Sequence, residues 1–320
     1  MACRSNPTFH LATFLHRNAK GQRLNFTNRE WLAYIYCDEA DRMVIRKSAR
    51  IGISEFLYIR NIVRAMQGLN GMYILPTEPI RNRVVTSRLD PILRLNKFYR
   101  TAPVNPGKLA DSSSVKSIFG SMWNYVGSNS EATFHEFDAD ILIYDEYDKC
   151  TLSNLLIAEQ RTGAAAKDRF IMVGNPTIAG FGIDARFEDS SKQFWMLKCT
   201  HCSKSQILDW WKHFIDRDDS GHYFLRDTEC QGETGRDASA ICQFCFKPID
   251  RLGKGEWVAE HPGNPIVGYH CDKLFGRPGN DTAEERPIIR EMFSKWNKGQ
   301  SNQTALEIFY NQELGLPYTA

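Results

Sequence analysis

The chain has no long apolar run. Its 320 residues are 42% hydrophobic, yet no stretch of about 18 apolar residues occurs, so no helix of ordinary spanning length is expected and no membrane partner. The opening residues, MACRSNPTFH, lack the apolar core of a secretory signal, which points to an intracellular protein. Charge of one sign is also scarce in bulk. Forty Lys and Arg stand against 38 Asp and Glu, a net charge of +2, so overall charge does not mark a nucleic-acid binder. The nine cysteines are an odd number without a regular framework, which argues for thiols and a metal site rather than disulfides. What remains is a globular chain long enough for one large core or two smaller ones.

Two segments carry chemistry. Lys47-Ser48-Ala49-Arg50-Ile51-Gly52-Ile53-Ser54 follows a short apolar stretch (Met43 to Ile45) and precedes a helical pattern with Phe56, Ile59, Ile62 and Val63 on one face. A strand–loop–helix of this kind can cradle phosphates, because backbone N–H groups and a helix N-terminus point at the anion. The usual loop is GxxxxGK[ST]. Here Gly52 and Ser54 fit that template, whereas Ile53 occupies the lysine position and Lys47 the first glycine position. A four-carbon ammonium stem at Lys47 still reaches the β- and γ-phosphates, so the lysine is displaced rather than missing. The second segment, Ile141-Leu142-Ile143-Tyr144-Asp145-Glu146, is an apolar strand ending in two acids. Asp145 is placed to hold Mg²⁺ on the phosphates, and Glu146 to orient or deprotonate water. Together they predict binding and hydrolysis of a nucleoside triphosphate.

Cysteine pairs give a third signal. Cys199-Thr200-His201-Cys202 and Cys242-Gln243-Phe244-Cys245 are two CxxC knuckles with 39 residues between Cys202 and Cys242. Four thiolates on two short turns make a closed tetrahedral Zn²⁺ site. The polar excursion from Asp216 to Gly235 reads as an inserted loop, and Cys230 and His201 are the substitute ligands. Cys3, Cys37, Cys150 and Cys271 are expected to be plain thiols. From Arg42 to Arg100 basic residues are dense enough to meet a phosphate backbone, while Glu131 to Asp148 holds seven acids and no Lys or Arg.

The coarse pattern predicts helices over Thr27–Tyr36, Ile53–Gln67, Pro79–Leu95 and Ser153–Gln160. It predicts strands over Met43–Arg46, Met72–Leu75 and Arg169–Val173, and a hairpin turning around Gly120-Ser121. Alternating strands and helices imply an α/β fold with a mostly parallel central sheet. After Phe194 the texture changes to short strands, aromatics and turns, and a helix-rich tail (Ala283–Lys298, Thr304–Leu314) follows. The expected division is 1–195 for a P-loop ATPase core, 196–275 for a zinc-ribbon subdomain and 276–320 for a helical C-terminal segment.

The segments KSARIGIS, GSNSEATFHEFDADILIYDEYD, VGNPT, CTHCSKSQ, GEWVAEHPGNPIVGYHCDKL and FYNQELGLPY occur in this order. Over roughly 25–318 the chain resembles lambda-type large terminase subunits of tailed bacteriophages, where the displaced lysine is habitual. The resemblance implies an ASCE/RecA-like motor in the host cytoplasm that uses ATP, Mg²⁺ and Zn²⁺. It would drive double-stranded DNA through a capsid portal, as a homo-oligomeric ring (a pentamer), beside a small terminase subunit. Lys47 would be the phosphate lysine, Ser54 the Mg²⁺ hydroxyl, Asp145 the metal-bound acid and Glu146 the water-activating carboxylate. Gly174, Asn175, Pro176 and Thr177 would couple hydrolysis to movement, and Asn28, Arg29 and Trp31 would hold the adenine. Arg50 within the subunit, or an arginine donated by a neighbouring subunit of the ring, is the candidate cation for the γ-phosphate. The family's nuclease is expected in a separate chain or domain. A helicase-like or repair ATPase with a zinc ribbon, and a non-catalytic zinc-ribbon adaptor, are the competing classes; intact Lys47, Asp145 and Glu146 argue against the second.

Overall fold

A computed structural model of the chain describes residues 6–100, 111–135, 138–160, 169–227, 237–276 and 287–319. It has two compact units. One comprises Met1–Asn25, Ala33–Val44 and Gly52–Gly174; the other comprises Phe26–Leu32, Ile45–Ile51 and Asn175–Ala320.

The first unit is a mixed α/β layer built on a mostly parallel sheet. Helix α1 (Pro7–His10) starts where the Asn6 side chain accepts from the Phe9 N–H at 3.0 Å, and a π-type turn (Leu11–Leu15) continues it. Helix α2 (Glu30–Cys37) enters the unit at Ala33, and strand β1 (Arg42–Lys47) supplies its first three residues. Helix α3 (Ile53–Met66) buries the apolar face expected of it, with Phe56, Ile59, Ile62 and Val63 all inside. Strand β2 (Gly71–Leu75) leads to α4 (Glu78–Val84), whose Thr77 side chain caps the Ile80 N–H at 3.4 Å. A π-type stretch (Val85–Leu89) and α5 (Asp90–Leu95) prolong it, so the expected single helix holds as one continuous rod with a local widening.

Strands β3 (Val115–Ile118) and β4 (Ser121–Gly127) form the expected antiparallel hairpin. Its turn centres on Phe119 and Gly120, both at positive φ, one residue earlier than predicted, because a two-residue hairpin turn needs φ > 0 at both central positions. Then follow β5 (Ile141–Asp145), α6 (Leu152–Gln160) and β6 (Phe170–Gly174). The strand order is β1-β6-β5-β2-β4-β3, and β6, β5, β2 and β4 run parallel. Strands β2 and β5 are buried along their whole length, as continuous apolar runs require in a parallel sheet. The acid-ended strand β5 is thus separated from β1 by one strand, β6.

In the second unit α7 (Gly182–Glu188) precedes β7 (Gln193–Lys198), and β8 (Ser205–Ile207) folds back antiparallel on β7. Helix α8 (Trp210–His213) is capped by Asp209. Strands β9 (Ile215–Arg217) and β10 (Tyr223–Leu225) make a hairpin, so the excursion after Asp216 is ordered in its first half; 228–236, with Cys230, lies outside the described residues. Strands β11 (Ala240–Ile241) and β12 (Pro248–Ile249) pair around the second knuckle. Strand β13 (Gly255–Ala259) pairs antiparallel with β7, and β14 (Val267–Cys271) parallel with it. Helices α9 (Ile288–Gly299) and α10 (Gln303–Ile308) close the chain with a π-type turn (Phe309–Leu314). Aromatic rings fill this unit: Trp195 meets Trp257 at 5.4 Å, and Trp210 meets Phe309 at 5.3 Å.

Candidate active site and metal centre

In the second unit the loop that leaves β1 begins with Lys47, only 4% exposed. Asn175 grips this lysine twice: Nζ donates to Asn175 Oδ1 at 3.2 Å, and Asn175 Nδ2 donates to the Lys47 carbonyl at 2.9 Å. The loop backbone is held as well. The Ser48 N–H donates to the Cys271 carbonyl and the Ala49 N–H to the Gln312 carbonyl, each at 2.8 Å. Gly315, at φ +62°, lies so close that a Cβ there would meet the Lys47 carbonyl carbon and Ser48 nitrogen at 2.7 Å. Arg50 is exposed, adopts a left-handed φ of 64°, and lines a cavity of about 400 Å³ with Lys273, Lys295, Lys298 and Glu313. Glu313 sits between Lys273 Nζ at 2.7 Å and Lys295 Nζ at 2.8 Å. Burial opposes its charge, but the two lysines outweigh burial and hold its pKa below the ordinary carboxylate value. Burial pulls Lys273 down in spite of Glu313.

Beneath the loop Arg46 is buried against Asp184 at 2.5 Å, with the Phe187 ring 4.1 Å from its guanidinium carbon. Its Nε donates to His270 Nδ1 at 3.2 Å, and burial and Arg46 together depress the His270 pKa, keeping that imidazole neutral.

In the first unit α3 begins at Gly52, φ 95°, and no side chain caps it. Its first N–H groups are therefore of the kind that bind an anion. Ile53, at the usual lysine position, is 1% exposed and belongs to the core, which gives the physical reason a lysine does not stand there. Ser54 is half-buried, and its neighbour Glu55 accepts from or pairs with His16 Nε2 at 2.7 Å, while His16 Nδ1 meets the Tyr99 hydroxyl at 3.0 Å. Asp145 ends β5 at 4% exposure, and its Oδ2 accepts from the Tyr73 hydroxyl at 2.9 Å. Burial and the Asp145 charge push the Tyr73 phenol well up, so it remains a donor. Glu146 leaves the strand in the left-handed region (φ 60°, ψ 50°), a conformation costing about 1–3 kcal/mol that clusters at functional sites. Its carboxylate accepts from Lys149 Nζ at 2.7 Å. Ser128 ties the strand ends together: its hydroxyl donates to the Pro76 carbonyl at 2.7 Å and accepts from the Thr151 N–H at 2.9 Å. Tyr73, Ser128 and His16 were not legible from sequence, since nothing local marks their partners.

Of the residues read as holding the adenine, Asn28 is exposed at φ 58°, Arg29 is buried, and Trp31 is 1% exposed. The Trp31 ring packs edge-on against Phe275 at 5.6 Å, a core contact. Of the basic residues between Arg42 and Arg100, Arg46, Lys47, Arg60, Arg64 and Arg81 are buried, whereas Arg50, Arg83, Arg88, Arg94 and Lys97 are exposed. Arg60 and Arg64 are buried against Glu39 (2.6 Å) and Asp41 (3.2 Å), and Arg81 donates to the Tyr125 carbonyl at 2.9 Å.

The cysteines form a cluster in the second unit. Sγ atoms of Cys199, Cys202, Cys242 and Cys245 all lie within 4.8 Å of one another, with Cys199–Cys245 and Cys202–Cys242 both at 3.7 Å. The knuckles repeat one geometry: Ser203 and Phe246, each one residue past the second cysteine, have φ of 60° and 59°. Burial disfavours the Cys242 thiolate, but hydrogen bonds from Gln206 and from the Phe244 and Cys245 N–H groups prevail and bring its pKa down to about 6. His201 is exposed and outside the cluster, which corrects its standing as a substitute ligand. Cys150 and Cys271 are free thiols, whereas Cys37 is disulfide-bonded, against the expectation of a plain thiol. Cys3 lies outside the described residues.

The sequence model of the family described as phage terminase large subunit gpA, ATPase domain, matches residues 26–260. No curated protein matches the chain by sequence. Among solved structures, the large terminase ATPase domain of Thermus phage P74-26 is 12% identical and aligns with a TM-score of 0.51 over 93% of this chain and 95% of that one, which is a likeness of fold. A large terminase from a thermophilic bacteriophage aligns over 52% of this chain and 43% of that one, with 14% identity and a TM-score of 0.39. No helix among the described residues is long and apolar enough to cross a membrane.

Proposed function

Because the chain belongs to the family of phage terminase large subunit ATPase domains and so hydrolyses ATP for DNA packaging, we propose that its phosphate loop runs from Lys47 to Ser54. Lys47 contacts the β- and γ-phosphates, and Ser48, Ala49, Ile51, Gly52 and Ile53 shape the loop around them. Ser54 and Asp145 hold Mg²⁺, which when bound neutralises phosphate charge. Glu146 takes a proton from the attacking water after releasing Lys149, and the γ-phosphoryl group leaves ADP. The observation that carries this reading is the two-way hydrogen bond between Lys47 and Asn175. An ammonium that swings toward a phosphate shifts its contact with Asn175. Asn175, with Gly174, Pro176 and Thr177, thereby senses the nucleotide and couples its hydrolysis to motion. Arg50 serves the γ-phosphate within the subunit. Asn28 and Arg29 contact the base, with Trp31 supporting them from the core.

The four cysteines hold one structural Zn²⁺ between the knuckles, in a subdomain spanning 196–275. A tetrahedron with Zn–S near 2.3 Å has sulfur–sulfur edges of about 3.8 Å; two Sγ pairs are 3.7 Å apart, and all four atoms lie within 4.8 Å of one another. The uncapped start of α3 and the buried Asp145 are equally suited to phosphate and Mg²⁺.

The motor acts in the host cytoplasm on double-stranded DNA at the capsid portal, as a pentameric ring, with the small terminase subunit bringing the DNA. A purified chain should show ATPase activity that rises with duplex DNA and rises again with portal present. Absence of any nucleotide-dependent turnover would sink the assignment.

A further inference from the structure

The tips of the two cysteine knuckles form a surface that the ATPase reading does not use. Residues 198–205 and 241–248 contain Lys198, Lys204 and Lys247 and no Asp or Glu. All three lysines are exposed. Between them stand two aromatic rings in water: Phe244 is 46% exposed and Phe246 is 70% exposed. Lys204 Nζ lies 4.6 Å from the centroid of the Phe244 ring, joining the first knuckle to the second in one cationic, aromatic face.

Phe246 is the telling residue. It occupies the left-handed position that closes the second knuckle, φ 59°, where a residue with a Cβ is disfavoured by about 1–2 kcal/mol. Ser203 fills the same position in the first knuckle. A large ring placed there gains little burial, so neither local geometry nor the core accounts for it. Rings beside lysines on an acid-free face suit a polyanion that offers flat apolar faces. In a duplex those faces are covered by neighbouring base pairs, whereas unpaired bases expose them.

We propose that the knuckle tip binds unpaired DNA, with Phe246 and Phe244 stacking on bases and Lys198, Lys204 and Lys247 contacting phosphates. This rests on the packaging reading for the identity of the polymer, and it adds the surface and the strand state. A motor that takes hold of a cut or melted end would meet such a strand.

The test uses the full chain loaded with zinc, and a fluorescein-labelled oligothymidylate compared with its duplex by anisotropy. Phe246→Ala should weaken single-strand binding about ten-fold, in line with stacking on one base, and leave duplex affinity within two-fold, roughly the error of such titrations. Lys204→Gln with Lys247→Gln should lower the slope of log affinity against log salt by roughly 1.4, about 0.7 per phosphate contact on a single strand. Zinc content and unstimulated ATPase activity of these variants should equal the parent's. Parental single-strand affinity in Phe246→Ala and in the Phe244→Ala, Phe246→Ala double variant overturns the proposal. If duplex DNA still raises ATPase activity in that case, the packaging reading stands alone. A parent chain that binds no DNA and is not stimulated by it overturns both. Variants that keep DNA affinity but lose stimulation by the portal identify the face as a protein-docking surface, which also overturns it.

Discussion

The contact between the C-terminal turn and the phosphate loop can be measured through one glycine. Gly315 has φ +62°, and a Cβ at this position would lie 2.7 Å from the Lys47 carbonyl carbon and from the Ser48 nitrogen. Both obstacles are backbone atoms, which cannot rotate away. Gly315→Ala therefore combines two costs. The left-handed conformation disfavours a side chain by about 1–2 kcal/mol, and overpacking against fixed atoms adds about 1–3 kcal/mol. The sum is about 2–5 kcal/mol, a large part of a typical stability of about 5–15 kcal/mol. Gly263 in the same unit isolates the first cost, because its φ is +91° and nothing lies within 4 Å of its would-be Cβ. Urea denaturation followed by tryptophan fluorescence should show Gly263→Ala losing about 1–2 kcal/mol and Gly315→Ala clearly more. Relief of the clash can come only by displacing the loop or the turn, so the same variant should lose ATP turnover while Gly263→Ala keeps it. Equal stability and equal turnover in the two variants would refute the packing of Gly315 on the loop.

Four further outcomes are expected. Glu146→Gln should bind ATP and lose turnover by about 10²–10⁴-fold, the usual cost of removing a general base; equilibrium nucleotide binding beside single-turnover kinetics checks it, and parental turnover would remove its role. Lys47→Ala should abolish turnover, whereas Asn175→Ala should leave ATP binding and reduce the DNA-stimulated fraction of the activity, read from steady-state kinetics with and without DNA. Elemental analysis should give about one zinc per chain, and Cys245→Ser should lower the urea midpoint of the second unit more than nucleotide affinity, because metal binding and local folding are linked. Glu313→Gln should destabilise by about 3–5 kcal/mol at neutral pH by stranding Lys273. A carboxylate with a depressed folded pKa contributes stability above its unfolded value near about 4.3, and this is lost as pH falls through the folded pKa. The parent's denaturation midpoint should therefore drop on acidification below about pH 4 more steeply than that of Glu313→Gln.

Much of the sheet was legible because its signals are local. Strand β5 is an apolar run with acids at its end, and α3 carries a helical stripe, so both could be bounded to within a residue or so. The CxxC pairs likewise announced the four-cysteine cluster, whereas the left-handed residue after each second cysteine came only with the structure. Helix α7 was not read, because Gly182–Glu188 carries only Ile183 and Phe187 as buried apolar residues. Strand order was out of reach: that β6 lies between β1 and β5 depends on a β1–β6 pairing across more than a hundred residues. The burial of Arg60 was out of reach for the same reason. Arg60 looks solvated in isolation and turns inward only because Glu39 and the Asp38 carbonyl wait for it.

The proposed phosphate loop departs from the usual template at Ile53, and burial without a partner gives the reason. The template asks for a lysine immediately before the hydroxyl residue, yet Ile53 at that place is 1% exposed among core side chains, where an ammonium would be desolvated without a partner. Lys47 is almost as buried, at 4%, but Asn175 Oδ1 receives its ammonium and Asn175 Nδ2 holds its carbonyl. The difference between the two positions is therefore partnership rather than burial. Moving the lysine to the end of β1 puts it within reach of the residue that follows β6, a contact the usual position does not require. A chain built this way ties Lys47 to Asn175 and, through the Asn175 Nδ2 contact to the Asn311 carbonyl at 3.4 Å, to the C-terminal turn that also holds Ala49. Replacing Ile53 with lysine would not restore that linkage, so in an otherwise inactive Lys47→Ala chain the added Ile53→Lys should not recover DNA-stimulated ATPase activity; recovery to the parental rate would show that position, not partnership, is what matters.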